Sequence, residues 1–127
     1  MKIILIVAAV VAIVVGVVHS VLGEVLIFNK LRTSGVVPSK SAPPLQERNI
    51  RILWSTWHLA SVFCWAFTGI LISLALDPKS VGTAALNATT FAFVGGSLLV
   101  LVGTKGRHPG WIGLLVVAIL VFLANAT

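Results

Sequence analysis

The stretch with chemistry in it runs from Arg51 to Thr68. At 3.6 residues per turn, Arg51, Trp54, Trp57, His58, Ser61, Trp65 and Thr68 fall within about 120° of arc on a single helix. One side of an otherwise apolar segment thus carries a guanidinium, an imidazole, two hydroxyls and three indoles. Such a side belongs against protein rather than lipid. Two further groups join it by depth: His19, Ser20 and Glu24 near the end of the first apolar run, and Arg107 with His108 before the last one. Ionisable residues within a span cost at least a few kcal/mol at the bilayer centre, so they line a site or pair with each other.

Several chemistries fit these residue types. Imidazoles at His19 and His58, with Glu24 or His108, suit a transition metal or a haem iron. No spacing is diagnostic, because there is no i+3 or i+4 ligand pair and a tetrahedral zinc would need ligands from three separate helices. A histidine beside a carboxylate can also hold or pass a proton near neutral pH, and Trp54, Trp57 and Trp65 could wall a planar quinone. Ser61 lies one turn from His58, yet its helix offers no acidic orienter for a nucleophile. No enzymatic reaction is assigned. The plainer expectation is that Glu24 pairs with Arg51 or Arg107, that His19 and His58 bond to serines or carbonyls, and that the indoles fill space between helices.

The elements that must position these groups are membrane spans. Of 127 residues 58% are hydrophobic and 9% charged, and the mean hydropathy is +1.10, far from the balance of a soluble domain. Four apolar stretches, about 3–28, 50–76, 83–102 and a shorter 109–124, predict an all-α integral membrane protein, a four-helix antiparallel bundle forming one domain. The first run is too long for a signal-peptide core and lacks a small-residue cleavage pattern, so it reads as a retained span.

The net charge of +6 does not point to nucleic acid, since the basic residues follow the membrane instead of an amphipathic, base-stacking surface. Lys30, Arg32, Lys40, Arg48, Arg51, Lys105 and Arg107 fall in or beside the first and third loops, against Lys2 and Lys79 on the other side. By the positive-inside rule, loops 29–49 and 103–110 are cytoplasmic and both termini lie outside the plasma (inner) membrane. The first loop, with Pro38, Pro43 and Pro44, resists regular structure and would sit against anionic headgroups.

Helix packing is expected from small-residue rows. Ala8, Ala12, Gly16 and Ser20 recur at i+4, Ala9, Gly16 and Gly23 form a second seam, and Ala84, Ala88, Ala92 and Gly96 make a third. Asn87, Thr90 and Ser97 are expected to bond between helices. Cys64 is the single cysteine, which excludes an intrachain disulfide.

Two function classes follow. One is a module in which His19, Glu24, Arg51 and His58 hold a metal, haem, quinone or proton. The other is a structural or interaction subunit of a homo-oligomer or larger membrane complex, in which the same residues lock the helices. A channel or transporter would need a continuous polar path, for which the outer half offers mainly Thr68, Ser73, Asn87 and Thr90.

Overall fold

The computed structural model describes all 127 residues and is all-helical. Four helices follow in order: α1 (Lys2–Leu26), α2 (Glu47–Leu76), α3 (Val81–Thr104) and α4 (Gly110–Ala126), with 3₁₀ turns at Phe28–Leu31 and Pro78–Ser80. The first three are long and apolar enough to cross a membrane, whereas α4 has 17 residues. Packing is sequential, α1 on α2, α2 on α3 and α3 on α4.

The helix ends are set locally. After Leu26 the chain tightens into the first 3₁₀ turn. Leu31 O then takes the amides of Ser39 and Lys40, which folds the proline-containing loop back on itself. This segment is therefore more ordered than its composition suggests, and Pro38 is fully buried. At the far end of α2, Pro78 cannot continue the helix, and Asp77 Oδ1 accepts the Lys79 amide. Lys105 and Gly106 close α3 in the left-handed region, at φ 54° and 73°, with the Gly106 amide on Leu101 O at 2.8 Å.

α1 meets α2 along Ala9, Gly16 and Gly23, its only buried residues. This is the i+7 seam. Ala8 of the i+4 row is exposed, because steps of four residues drift around a helix by about 40° each, while steps of seven stay on one face. The seam exists for tryptophan: Trp65 lies over Gly16, where an added Cβ would fall 2.6 Å from the indole nitrogen, and Trp57 lies over Gly23 more closely still.

Between α2 and α3 the row Ala88, Ala92 and Gly96 is buried, with Ala66 packed on the alanines and Leu59 on the glycine. Ser97 reaches α4 by donating to Trp111 O at 2.8 Å, and Asn87 accepts from Asn125 at 2.8 Å. Thr90 departs from expectation. Its hydroxyl is buried and has no partner.

Candidate functional site

The polar residues of α1 and the indole side of α2 close on one another around Glu24. One carboxylate oxygen of Glu24 accepts from Trp54 Nε1 at 2.6 Å and from His58 Nε2 at 2.8 Å, and the other takes Arg32. Three donors on one carboxylate satisfy most of its acceptor capacity. On the other edge of the imidazole, His58 Nδ1 lies 2.9 Å from Ser20 Oγ, and Ser20 donates its hydroxyl to Ser61 at 2.8 Å.

A second layer runs through His19 and Trp57. Their rings stack at 4.4 Å with 8° between planes. Trp57 Nε1 donates to His19 O at 3.0 Å, and His19 Nε2 lies 3.2 Å from Trp57 O. Trp65 forms the third, donating to Ile13 O at 3.4 Å. Each of the three indole N–H groups thus reaches α1, and an N–H buried away from water needs such an acceptor. Phe28 caps the cluster, edge-on to Trp57 at 6.0 Å and tilted on His58 at 6.1 Å.

Of the predicted site residues, His19, Ser20, Glu24, Trp54, Trp57, His58, Ser61 and Trp65 share this α1–α2 seam. Arg51 and Arg107 do not. Glu24 pairs with Arg32 in place of either, which corrects the expected pairing. The reason for Arg51 is angular: it lies at the rim of the indole arc, next to Ser55, and so turns toward α3. There its Nε donates to Glu47 at 2.8 Å and its Nη1 to Gly103 O at 3.1 Å. Arg107 is exposed and makes no side-chain hydrogen bond or ion pair. His108 is also exposed, its Nδ1 accepting the Gly110 amide at 3.0 Å.

The three histidines do not converge. His19 and His58 address different atoms in adjacent layers, His108 sits beyond the end of α3, and no group of three or more His, Cys, Asp or Glu side chains could hold a metal ion. Two of the three indoles expected to wall a quinone are engaged within the seam, while Trp65 also lines a cavity with Gly69, Asn87 and Phe91. Trp57 is stacked on His19, and Trp54 meets His58 edge-on at 4.9 Å. In the other half, Thr68 bonds to Cys64 O and Ser73 to Ser80, each locally, while Asn87 accepts from Asn125 of α4.

Three participants escaped the sequence reading. Arg32 and Phe28 lie beyond the end of α1, and only the 3₁₀ turn brings them back over it. Ser55 is buried, donates within hydrogen-bond distance of Arg51 O and Leu99 O, and abuts Gly103. Its signal was the pairing of a serine with a distant glycine, which only helix register reveals.

Comparison with known protein families, curated proteins and solved structures finds no match to the chain. The functional reading therefore rests on geometry.

Proposed function

We propose that the chain is an integral protein of the plasma (inner) membrane whose four helices cross antiparallel, with loops 29–49 and 103–110 in the cytoplasm and both termini outside. In it the Glu24 cluster is a polar lock between the first two helices, and the protein serves as a structural or interaction subunit of a homo-oligomer or a larger membrane complex. The order of the α1–α2 bonds supports the antiparallel arrangement, since Ile13, His19 and Glu24 meet Trp65, Trp57 and Trp54 respectively. At ~1.5 Å per residue α4 is about 25 Å long, short of the ~30 Å hydrocarbon core. Local thinning or oligomerisation accommodates such a span. The apolar faces left open on α1 and α4, such as Val14, Val18, Leu120 and Phe122, suit lipid or a second subunit.

The observation that carries the lock is the Glu24 carboxylate with donors from Trp54, His58 and Arg32. In lipid, apolar burial gives no net drive for association, so close packing and interhelical hydrogen bonds must hold the helices. The test is Glu24→Ala and His58→Ala in purified protein. Both should lower unfolding stability while metal content and visible absorption remain those of the wild type. A stoichiometric metal or chromophore that leaves with His58→Ala overturns the reading.

One observation favours a second reading, a proton-holding pair. His58 lies between the Ser20 hydroxyl at Nδ1 and the Glu24 carboxylate at Nε2. A ring held between a hydroxyl and a carboxylate can carry a proton on one nitrogen or on both. Nitrogen-15 NMR of the His58 ring decides it: two protonated nitrogens support the pair, and one refutes it.

A further inference from the structure

Where α2 begins and α3 ends, the protein carries positive charge that it does not itself neutralise. The chain has only three Asp and Glu residues. Glu24 is engaged by Arg32 and His58, Glu47 by Arg51, and Asp77 lies at the opposite end of α2. Arg48, Lys105 and Arg107 therefore form no ion pair, although Glu47, already bound to Arg51, feels the charge of Lys105 and Arg107.

These three residues, with Arg51, Glu47 and His108, line a cavity of about 670 Å³ in which Ile52 is the one hydrophobic wall residue. That volume falls in the usual range of small-ligand sites, ~300–1,000 Å³. Arg51, a lining residue of the cavity, is 8% exposed and is held in place by Glu47 and Gly103 O, with no protein hydrogen bond at its Nη2. The backbone adds to the field. α2 starts at Gln46 with no side-chain cap, and the amides of Glu47 and Arg48 make no protein hydrogen bond, so the partial positive charge of a 30-residue helix opens on the same space.

We propose that this cleft binds a phosphate group, presented either by an anionic lipid headgroup or by a soluble phosphate ester. Arg48, Lys105 and Arg107 contact the phosphate oxygens, and Arg51 forms the fixed floor. Guanidinium forks match tetrahedral oxyanions geometrically, and several cations around one small volume match a group that presents several charged oxygens. The cleft wall contains no Trp, Phe or Tyr on which a base could stack, which separates it from a nucleic-acid groove. The site is independent of the Glu24 lock and shares with it only the membrane setting.

The test uses the full chain in phosphatidylcholine nanodiscs. One arm titrates glycerol phosphate calorimetrically; the other measures retention of phosphatidylglycerol over phosphatidylcholine by native mass spectrometry. Both are repeated on the triple variant Arg48→Gln, Lys105→Gln, Arg107→Gln, whose residues are exposed and unpaired, and on a charge-matched control, Lys2→Gln, Lys40→Gln, Lys79→Gln. With about fivefold per surface charge, the triple variant should bind about 100-fold more weakly and the control unchanged. Binding in the lipid arm alone identifies a headgroup site, and binding in the soluble arm identifies a phosphate-ester site. Binding in neither arm overturns the proposal, as does an equal loss in the control, which would reduce it to general surface charge.

Discussion

Replacing Gly23 with alanine places a methyl group inside the volume occupied by the Trp57 indole. Ordinary Cβ contacts begin near 3.4 Å, and this one falls well short. The ring is held in place: one face is stacked on His19 at 4.4 Å, its nitrogen is tied to His19 O at 3.0 Å, and Phe28 meets it in a T-shaped contact at 6.0 Å. The helices must therefore separate. Overpacking of a filled interior costs about 1–3 kcal/mol, and the weakened Trp57–His19 bond adds roughly 0.6 kcal/mol, the average for interhelical bonds in a membrane protein. The expected loss is about 2–4 kcal/mol. Gly69 is the control, because nothing lies within 4 Å of its added Cβ. Gly69→Ala should stay within about 0.5 kcal/mol of the wild type, as surface changes do. The assay is unfolding by sodium dodecyl sulfate in mixed micelles, followed by tryptophan fluorescence. If Gly23→Ala proves as stable as Gly69→Ala, the indole-on-glycine account of the α1–α2 seam is refuted.

Other substitutions probe separate joints, and the same titration reads the first three. Arg51→Met removes the bonds to Glu47 and Gly103 O while keeping most of the side-chain volume, and should loosen α3 from α2 at a cost of about 1–3 kcal/mol. Gly103→Ala should cost at least as much, since its methyl would meet Ser55 Oγ. Thr90→Val is expected to be neutral or stabilising by up to about 1 kcal/mol, because the hydroxyl it removes is buried without a partner. Topology is read by thiol labelling on a Cys64→Ser background: Ser34→Cys should react only with reagents that have crossed the membrane, and Asn125→Cys with impermeant reagents added outside.

The division of labour on α2 was legible because indoles and hydroxyls at 3.6-residue spacing on an otherwise apolar helix have one physical explanation, a neighbouring helix. Trp54, Trp57, His58, Ser61 and Trp65 all turn to α1 accordingly. What periodicity could not supply was register. A loop of some twenty residues leaves the α1–α2 offset free, so shared depth groups His19 with His58, whereas His58 meets Ser20 and Glu24 and His19 meets Trp57. The partner of Glu24 was hidden for a different reason. Arg32 lies eight residues on, beyond the helix, and only the fold-back at Phe28–Leu31 returns it. Arg51 turns to α3 because an arc has an edge: a residue at the rim can serve either neighbour, and Ser55 beside it shows which one. The i+4 alanines of α1 were a weaker guide than the i+7 glycines, since only glycine admits an indole at such close range.

The central claim is that Glu24 holds α1 against α2, and a double-mutant cycle between Glu24→Gln and Trp54→Phe in the detergent titration tests it most directly. The account predicts that each single variant is destabilised and that the two are coupled by about 0.5–2 kcal/mol, within the range for interhelical hydrogen bonds. Two additive variants, or a Glu24→Gln protein as stable as the wild type, would contradict it and mean that the carboxylate serves something other than the helix pair.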